Sequence, residues 1–266
     1  MSSSSIVALA VMLLGAAPDL SQSGSAASDR LAAVKSGAEP MHGVNLGAWQ
    51  VLEKWMAPSL WDGIDGDAWG ERQLMLAAEQ QGKTAQVRAA ITAHRDSWVT
   101  EADFAAMEAA GVNAVRLPIG FWVVADTAAG AAPFVEGGLK YVDKAMEWGA
   151  AHGIGVLVDM HAAPGSQNGF DHSAPAQKNK ALWDSRQQPS PSYPAQTLAV
   201  ISALAQRYGS APALLGFAPL NEPTVLGCFS YLDLSRLHHC NPMTATNLKQ
   251  LADHCRIRLP AAAFTF

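Results

Sequence analysis

The chain has 266 residues, of which 49% are hydrophobic and 15% charged, so it contains enough apolar material for one large domain. This composition excludes an intrinsically disordered chain. The formal net charge of −5 supplies no basic surface for nucleic acid or an anionic membrane, so a neutral small or polymeric substrate fits better.

Residues 1–38 are predicted to be a leader, with a signal peptide followed by a flexible segment. The apolar stretch from Ile6 to Ala17 has the length of a signal peptide and is too short to span a membrane. No positive charge precedes it, so a misassigned start or a merely flexible Ser/Ala-rich leader is the alternative. We expect a secreted protein without a membrane span.

The next segments begin an alternation of strands and helices. The stretch from His42 to Leu46 predicts a first strand, and residues 62–96 predict one or two surface helices. Thr100, with Asp103 three residues later, marks the start of another helix, which Gly111 ends.

The same alternation continues to the fourth strand. The remaining predicted elements are a strand at 113–117, a helix at 138–152, a strand at 154–161, a helix at 197–208 and a strand within 213–223. Apolar strands that alternate with helices are typical of parallel βαβ units, so we predict an α/β fold. Residues 39–227 show neither an internal repeat nor a long linker, and we treat them as one unit.

Polar residues occur where the predicted strands end. Glu53 follows the first strand, Arg116 ends the second, His161 ends the third, and Asn221 and Glu222 end the fourth. In an eightfold β/α barrel these strand ends share one mouth, so the side chains would line the same cavity. Taken singly, His161 is more typical of a satisfied core histidine, and Glu222 of a solvated carboxylate before proline.

Four motifs identify a family resemblance. The segments "GVNLGAWQVLEKW", "TEADFAAMEAAGVNAVRLPIGFW", "VLVDMHAAPGSQNGFDHS" and "LLGFAPLNEP" follow one another between about Gly43 and Gly227. Together they resemble the glucan exo-1,3-β-glucosidases of glycoside hydrolase family 5, and "HAAPGSQNGFD" is the most specific part. The resemblance implies a TIM (β/α)8 barrel that releases glucose from β-1,3-glucan ends with retention of configuration and needs no cofactor.

The resemblance also implies a role for each matched residue. Glu222 matches the general acid/base, and Asn221 matches the residue that binds the sugar 2-hydroxyl. Arg116 matches the arginine that orients the nucleophilic carboxylate. Other matched positions bind substrate near the cleaved bond: Glu53, His161, Asn168 and, with a loop cap as the alternative, Asp171.

Several of these residues have a structural alternative. Asn168 precedes a glycine and fits the left-handed position of a tight turn. Glu53 fits an exposed ion pair with Lys54. Five aromatic residues are candidates either for sugar platforms or for the core: Trp49, Trp55, Phe121, Trp122 and Phe170.

The chain departs from the family pattern in two ways. Ala48 and Ala162 stand where the family usually has glycine, so we expect a slightly displaced backbone there. After Gly227 the resemblance ends, and residues 228–266 contain no Glu and are too short for four more strand and helix units. We therefore predict only the first half of a barrel (β1–β4), an atypical tail at 228–266 and no nucleophile in this chain.

The tail and the strand edges suggest further readings. Cys228, Cys240 and Cys255 leave one cysteine unpaired, and their spacing with the tail histidines matches no compact zinc site, so we expect no metal. A half-barrel leaves apolar edges that favour self-association. Two alternative functions stay open, an inactive carbohydrate-binding fragment and an endo-β-glucanase.

Overall fold

The computed structural model describes residues 20–124, 132–185 and 187–223. Within them, strands and helices alternate as the sequence predicts. The strands are β1 (Gly43–Asn45), β2 (Ala114–Gly120), β3 (Gly155–Ala162) and β4 (Leu214–Ala218). The α-helices are α1 (Leu20–Ser36), α2 (Glu71–Gln80), α3 (Thr84–Trp98), α4 (Glu101–Ala109), α5 (Leu139–His152) and α6 (Tyr193–Tyr208).

The four strands form one parallel sheet in the order β1-β2-β3-β4. Ala114 of β2 is paired with Gly43 on one side and Gly155 on the other, and Val156 of β3 is paired with Leu214 of β4. Each strand neighbours the next in the sequence, which is the strand order of a β/α barrel. The predicted fold class, a barrel of which this chain supplies about the first half, is confirmed.

The core lies between the sheet and its helices. Alternate residues of the two central strands point to the helix side and are almost fully buried: Val115, Leu117 and Ile119 of β2, and Val156, Val158 and Met160 of β3. They join one apolar cluster with Val142 of α5 and Leu204 of α6. Each such side chain contributes about 1.5–3 kcal/mol through burial, so this face holds the half-barrel together.

Helix α4 begins and ends as predicted. The backbone N–H of Thr100 donates to the Asp103 carboxylate at 2.7 Å, which is one half of a capping box. Gly111 has a φ of +83°, a left-handed conformation that stops the helix at little steric cost.

Helix α1 lies inside the segment that the sequence assigns to the leader. Its residues Ala27, Leu31 and Val34 are buried. The Arg30 guanidinium donates to the carbonyl of Val112 at 3.0 Å, just before β2, so α1 is packed against the amino-terminal ends of the strands. The folded unit therefore extends further toward the N-terminus than the predicted boundary at residue 38.

Two predictions lie outside the described residues. These are the candidate signal peptide over residues 1–19 and the tail at 228–266 with its three cysteines. Among the helices that the structure does describe, none combines the length and the apolar character that a membrane span requires.

Candidate active site

The sequence predicted that Arg116 ends the second strand, but the structure places it inside β2. The strand continues through Pro118 to Gly120. Proline lacks the N–H of a sheet ladder, but β1 ends at Asn45, which is paired with Arg116, so β2 has no β1 partner at Pro118. The proline is tolerated here, and Arg116 lies four residues before the end of the strand.

Arg116 joins all four strands of the sheet at the mouth. One terminal nitrogen, Nη1, donates at 3.1 Å to Oδ1 of Asn45, the last residue of β1. The other, Nη2, lies 2.7 Å from Asp159 Oδ2 on β3 and donates to Asn221 Oδ1, just beyond β4, at 2.7 Å. Such charge-assisted bonds are the stronger kind in proteins, so the guanidinium fixes the side chains around it.

Asp159 was not predicted as a site residue, although the sequence contains a signal for it. Asp159 and His161 are two residues apart on β3, and such residues share one face of a sheet. Asp159 Oδ2 lies 2.7 Å from His161 Nδ1, and the aspartate is 1% exposed. Polar residues at this spacing in an apolar strand indicate a shared polar face, here the inner face of the half-barrel.

Glu222 lies four residues beyond the end of β4, with its side chain 65% exposed. It is therefore a carboxylate open to solvent, and not one held in apolar surroundings. Its φ of +43° is uncommon for a residue with a side chain. Its Oε2 lies 3.4 Å from Nε2 of His172, a residue that was not predicted.

Asn168 contacts the segment that carries Glu222. Its amide nitrogen donates to the Glu222 carbonyl at 3.2 Å and lies 3.0 Å from His172 Nε2. The left-handed positions of this turn are Gly165, Ser166 and Gly169, so the alternative in which Asn168 takes that position is wrong. The structure brings Asn168 to the mouth, as the resemblance implies.

Several charges act on His172. Burial lowers its pKa, and the nearby His161 lowers it further, because the two rings lie 5.0 Å apart. The carboxylates of Glu222, Glu53 and Asp171 oppose this shift. The candidate residues from three different segments therefore share one electrostatic environment.

Glu53 acts on this environment and does not form the ion pair that was the structural alternative for it. Its Oε2 accepts a hydrogen bond from Trp55 Nε1 at 2.9 Å, while Lys54 Nζ donates to the Ala68 carbonyl at 3.4 Å. In the part of the chain that the structure describes, Glu53 and Lys54 therefore form no ion pair.

The five candidate aromatic residues divide into two groups. Trp49, Phe121 and Trp122 belong to the buried core. Trp55 is 74% exposed and Phe170 is 47% exposed, so these two can present a ring face to a sugar.

Gln167 is a second buried residue that was not predicted. Its side-chain amide donates to the carbonyls of His161 at 2.7 Å and Asn221 at 2.9 Å, and its oxygen accepts from the Ala163 N–H at 3.1 Å. One amide thus joins the end of β3 to the residue before Glu222. A glutamine within a loop motif carries no periodic signal, so the sequence alone does not reveal this role.

The two alanines at glycine positions differ. Ala48 has a φ of +56°, a left-handed conformation that costs a residue with a side chain about 1–2 kcal/mol. Ala162 is paired with Gly120 beyond an irregularity in the β2–β3 register. The first position therefore shows why glycine is favoured there, and the second accommodates a methyl group within the strand.

A second buried ion pair lies in the helical layer outside the mouth. Glu71 and Arg95 are each 1% exposed, and Oε1 lies 3.6 Å from Nη2. The Leu52 N–H donates to Glu71 Oε2 at 3.0 Å, and Arg95 donates to the Val135 carbonyl at 2.9 Å. Burial raises the pKa of Glu71 to about 7, although Arg95 and the Leu52 N–H both favour the charged form.

The sheet order and the polar cluster around Arg116 are those of β/α-barrel proteins, which carry their functional residues at the carboxyl ends of the barrel strands. The Cellulase (glycosyl hydrolase family 5) profile matches residues 78–231, which is more than half of the chain. The chain belongs to glycosyl hydrolase family 5.

Curated relatives share this region of the chain. One, "Probable glucan 1,3-beta-glucosidase A" from Aspergillus niger, is 38% identical over 190 residues, which cover 70% of this chain and 42% of that protein. "Glucan 1,3-beta-glucosidase" from Pichia angusta is 38% identical over 202 residues, or 75% of this chain and 43% of that protein. The chain therefore spans less than half the length of these two relatives.

A solved structure supports the fold. The rutinosidase from Aspergillus niger superimposes with a TM-score of 0.65 at 19% identity, over 81% of this chain and 59% of that chain. At this identity the match bears on the fold alone.

Proposed function

We propose that this chain carries the acid/base part of a retaining glycoside hydrolase site that releases glucose from β-1,3-glucan ends. The observation that carries the proposal is the position of Asn221 and Glu222 beyond β4. Arg116 fixes the Asn221 amide, and the next residue projects a solvent-accessible carboxyl group into the mouth.

In this proposal Glu222 transfers the protons. As a carboxylic acid it protonates the leaving glycosidic oxygen, and as a carboxylate it then takes a proton from the water that hydrolyses the glycosyl intermediate. An exposed carboxyl group can exchange its proton with solvent between these steps, which suits the two roles.

Asn221 is suited to bind a sugar hydroxyl. Its Oδ1 is held by Arg116, which sets the direction of the amide plane. Its Nδ2 is buried and has no hydrogen-bond partner among the residues that the structure describes. A buried donor without a partner is costly, so a substrate hydroxyl at this position would be strongly favoured. We assign that place to the sugar 2-hydroxyl.

We propose β-1,3-linked glucan as the substrate because of the motif resemblance and the names of the curated relatives. Glu53, His161, Asn168 and Asp171 supply polar contacts to the glucose at the cleaved bond. The exposed rings of Trp55 and Phe170 supply platforms for neighbouring sugars. An endo-β-glucanase would use similar groups but release longer products.

A second candidate function is carbohydrate binding without hydrolysis. Retention requires a second carboxylate about 5 Å from the acid/base. No glutamate follows Glu222 in the sequence, so the nucleophile of the family pattern has no counterpart here. In that case the chain binds glucan ends through the same residues and does not turn them over.

Hydrolysis and binding assays separate these functions. We would measure glucose release from laminarin and from an aryl β-glucoside, and laminaritriose binding by calorimetry. The test compares the unmodified chain, Glu222→Gln, and Glu79→Gln, whose exposed side chain lies on α2.

Release of glucose that Glu222→Gln abolishes and Glu79→Gln leaves intact supports the enzyme. Binding of laminaritriose without release supports the binding function. Release of longer oligosaccharides supports the endo-glucanase, and neither binding nor release contradicts all three.

We also propose secretion and self-association. Detection of the chain in culture medium, cleaved within residues 1–38, would support secretion, and retention in cells would contradict it. The residues of β1 are exposed, including Val44 at 40%, and a second copy of this chain would cover such an edge. Sedimentation velocity should show a dimer or larger species, and a monomer at all concentrations would contradict self-association.

A further inference from the structure

We propose that Asp159 is a positioning residue that sets the tautomer of His161 and the direction of Arg116 for sugar binding. The proposal rests on the proposed function for its ligand. Its geometric part concerns only this chain and can be tested without any sugar.

A single carboxylate oxygen holds both side chains. Asp159 Oδ2 lies 2.7 Å from Arg116 Nη2 and 2.7 Å from His161 Nδ1. Asp159 is 1% exposed, whereas the Arg116 side chain is 31% exposed and faces the mouth. The buried carboxylate is therefore the fixed part of the cluster, and the two side chains that it holds reach toward the substrate.

The strand register shows that neither neighbour of Asp159 across the sheet can hold Arg116 and His161 in its place. Its neighbours across the sheet are Pro118 on β2 and Ala218 on β4, and neither side chain carries a polar atom. The polar groups that face the carboxylate are thus Arg116 and His161, with the His172 ring 5.0 Å beyond the ring of His161.

The contacts assign the proton on His161. An ionised carboxylate only accepts hydrogen bonds, so Nδ1 must carry the hydrogen at a distance of 2.7 Å from Asp159. Arg116 Nη2 lies 3.3 Å from the same Nδ1 and can only donate hydrogen bonds. This contact is longer than the one to Asp159, so it does not determine the tautomer. In the neutral ring Nε2 is then an acceptor.

The assignment determines what the site can bind. When its ring is neutral, His161 offers Nε2 as an acceptor for a sugar hydroxyl, because the hydrogen bond that one ring nitrogen makes determines which nitrogen carries the proton. Through Arg116 the same carboxylate also acts on Asn221, whose Oδ1 accepts from Nη2 at 2.7 Å. Asp159 thereby orients two groups that bind sugar hydroxyls, the acceptor Nε2 of His161 and the donor amide of Asn221, without touching the substrate.

The first test uses the unmodified full-length chain. Nitrogen-15 NMR of the histidine rings near neutral pH distinguishes a protonated Nδ1 from a protonated Nε2. We expect the Nδ1–H tautomer for neutral His161, whereas free histidine prefers Nε2–H. A neutral His161 with its hydrogen on Nε2 overturns the proposal, and this result needs no variant to fold.

The second test compares Asp159→Asn with Asp29→Asn. The control removes the same charge from an exposed position on α1. We expect Asp159→Asn to shift His161 toward Nε2–H and to weaken laminaritriose binding about tenfold, the effect of one lost hydrogen bond. We expect Asp29→Asn to change neither quantity.

The outcomes separate this proposal from the proposed function. If the chain binds no laminaritriose but His161 shows the Asp159-dependent tautomer, the proposed function fails and the positioning role stands. If laminaritriose binds and Asp159→Asn changes neither the tautomer nor the affinity, the positioning role fails and the proposed function stands.

Discussion

Two buried carboxylates, each next to an arginine, lie in different regions of this chain. Asp159 at the strand ends contacts Arg116 at 2.7 Å, and that arginine is 31% exposed. Glu71 in the helical layer lies 3.6 Å from Arg95, and both side chains are 1% exposed. The two pairs have the same chemistry but differ in the access that water has to the cation.

The difference shows how a site and a scaffold use charge. At the mouth the arginine keeps contact with solvent and still bonds to several polar groups, so little of its hydration is lost without replacement. In the helical layer both partners lose their hydration, and a buried pair repays that loss only with excellent geometry. The pKa of Glu71 is raised to about 7 because the attraction of Arg95 offsets only part of the lost hydration.

The largest expected effect is that of Arg95→Met. Removing the cation leaves Glu71 buried without a counter-ion, which should cost about 4 kcal/mol of unfolding free energy at about pH 8. At about pH 5 the loss should be smaller, because Glu71 can then take up a proton. Urea unfolding at both pH values checks this, and equal losses would contradict it.

A pH series should resolve Glu71 itself. Its folded pKa of about 7 lies above the ordinary value of 4.5, so the folded state holds a proton that the unfolded state releases. Its contribution to stability is complete below about pH 4.5 and falls by about 3 kcal/mol as the pH rises through about 7. Glu71→Gln should remove this fall, and an unchanged pH dependence in that variant would refute the assignment.

The arginine at the mouth should matter less for stability. Arg116→Met deprives Asp159 of its cation, but His161 Nδ1 still donates to the carboxylate, so we expect a loss of about 2 kcal/mol. Urea unfolding measures it beside Arg95→Met. A loss as large as that of Arg95→Met would show that the two regions do not differ in the way described.

An exposed ion pair provides the baseline. Lys140 and Asp96 contact at 3.2 Å with side chains 54% and 49% exposed. Lys140→Ala should change the unfolding free energy by less than about 0.5 kcal/mol, because such pairs are hydrated and screened, and Tyr141 still donates to Asp96. A loss above about 1 kcal/mol would show that exposure does not rank the three pairs.

The sheet was predictable because its signal is periodic and local. Apolar strands between helices predicted all four strands, and a capping pattern at Thr100 placed the start of α4. The end of β2 was less predictable, since Pro118 normally stops a strand and here lies where β1 no longer pairs. Helix α1 was missed because its Ser/Ala-rich sequence has few large apolar residues, and its burial depends on distant partners.

The site was predictable only in part, for a related reason. Motifs and strand ends indicated Arg116, His161, Asn168, Asn221 and Glu222, which the structure brings to one mouth. Asp159 was not predicted as a site residue because it lies two positions before His161, inside the strand and not at its end, although both side chains are on the same face. Gln167 and His172 act through tertiary contacts that no local spacing encodes.

Helix α1 has a consequence for the order of events during synthesis. Arg30 contacts a carbonyl 82 positions later in the chain, and Lys35 contacts Pro212, 177 positions later. At about 5–20 residues per second, a ribosome makes the last of these partners roughly 10–35 seconds after the helix. Until then the apolar side chains of Leu31 and Val34 lack their native cover. A chaperone that binds short apolar segments would find a target there, because among the helices that the structure describes α1 is made first and contacts one of the last residues of the folded unit.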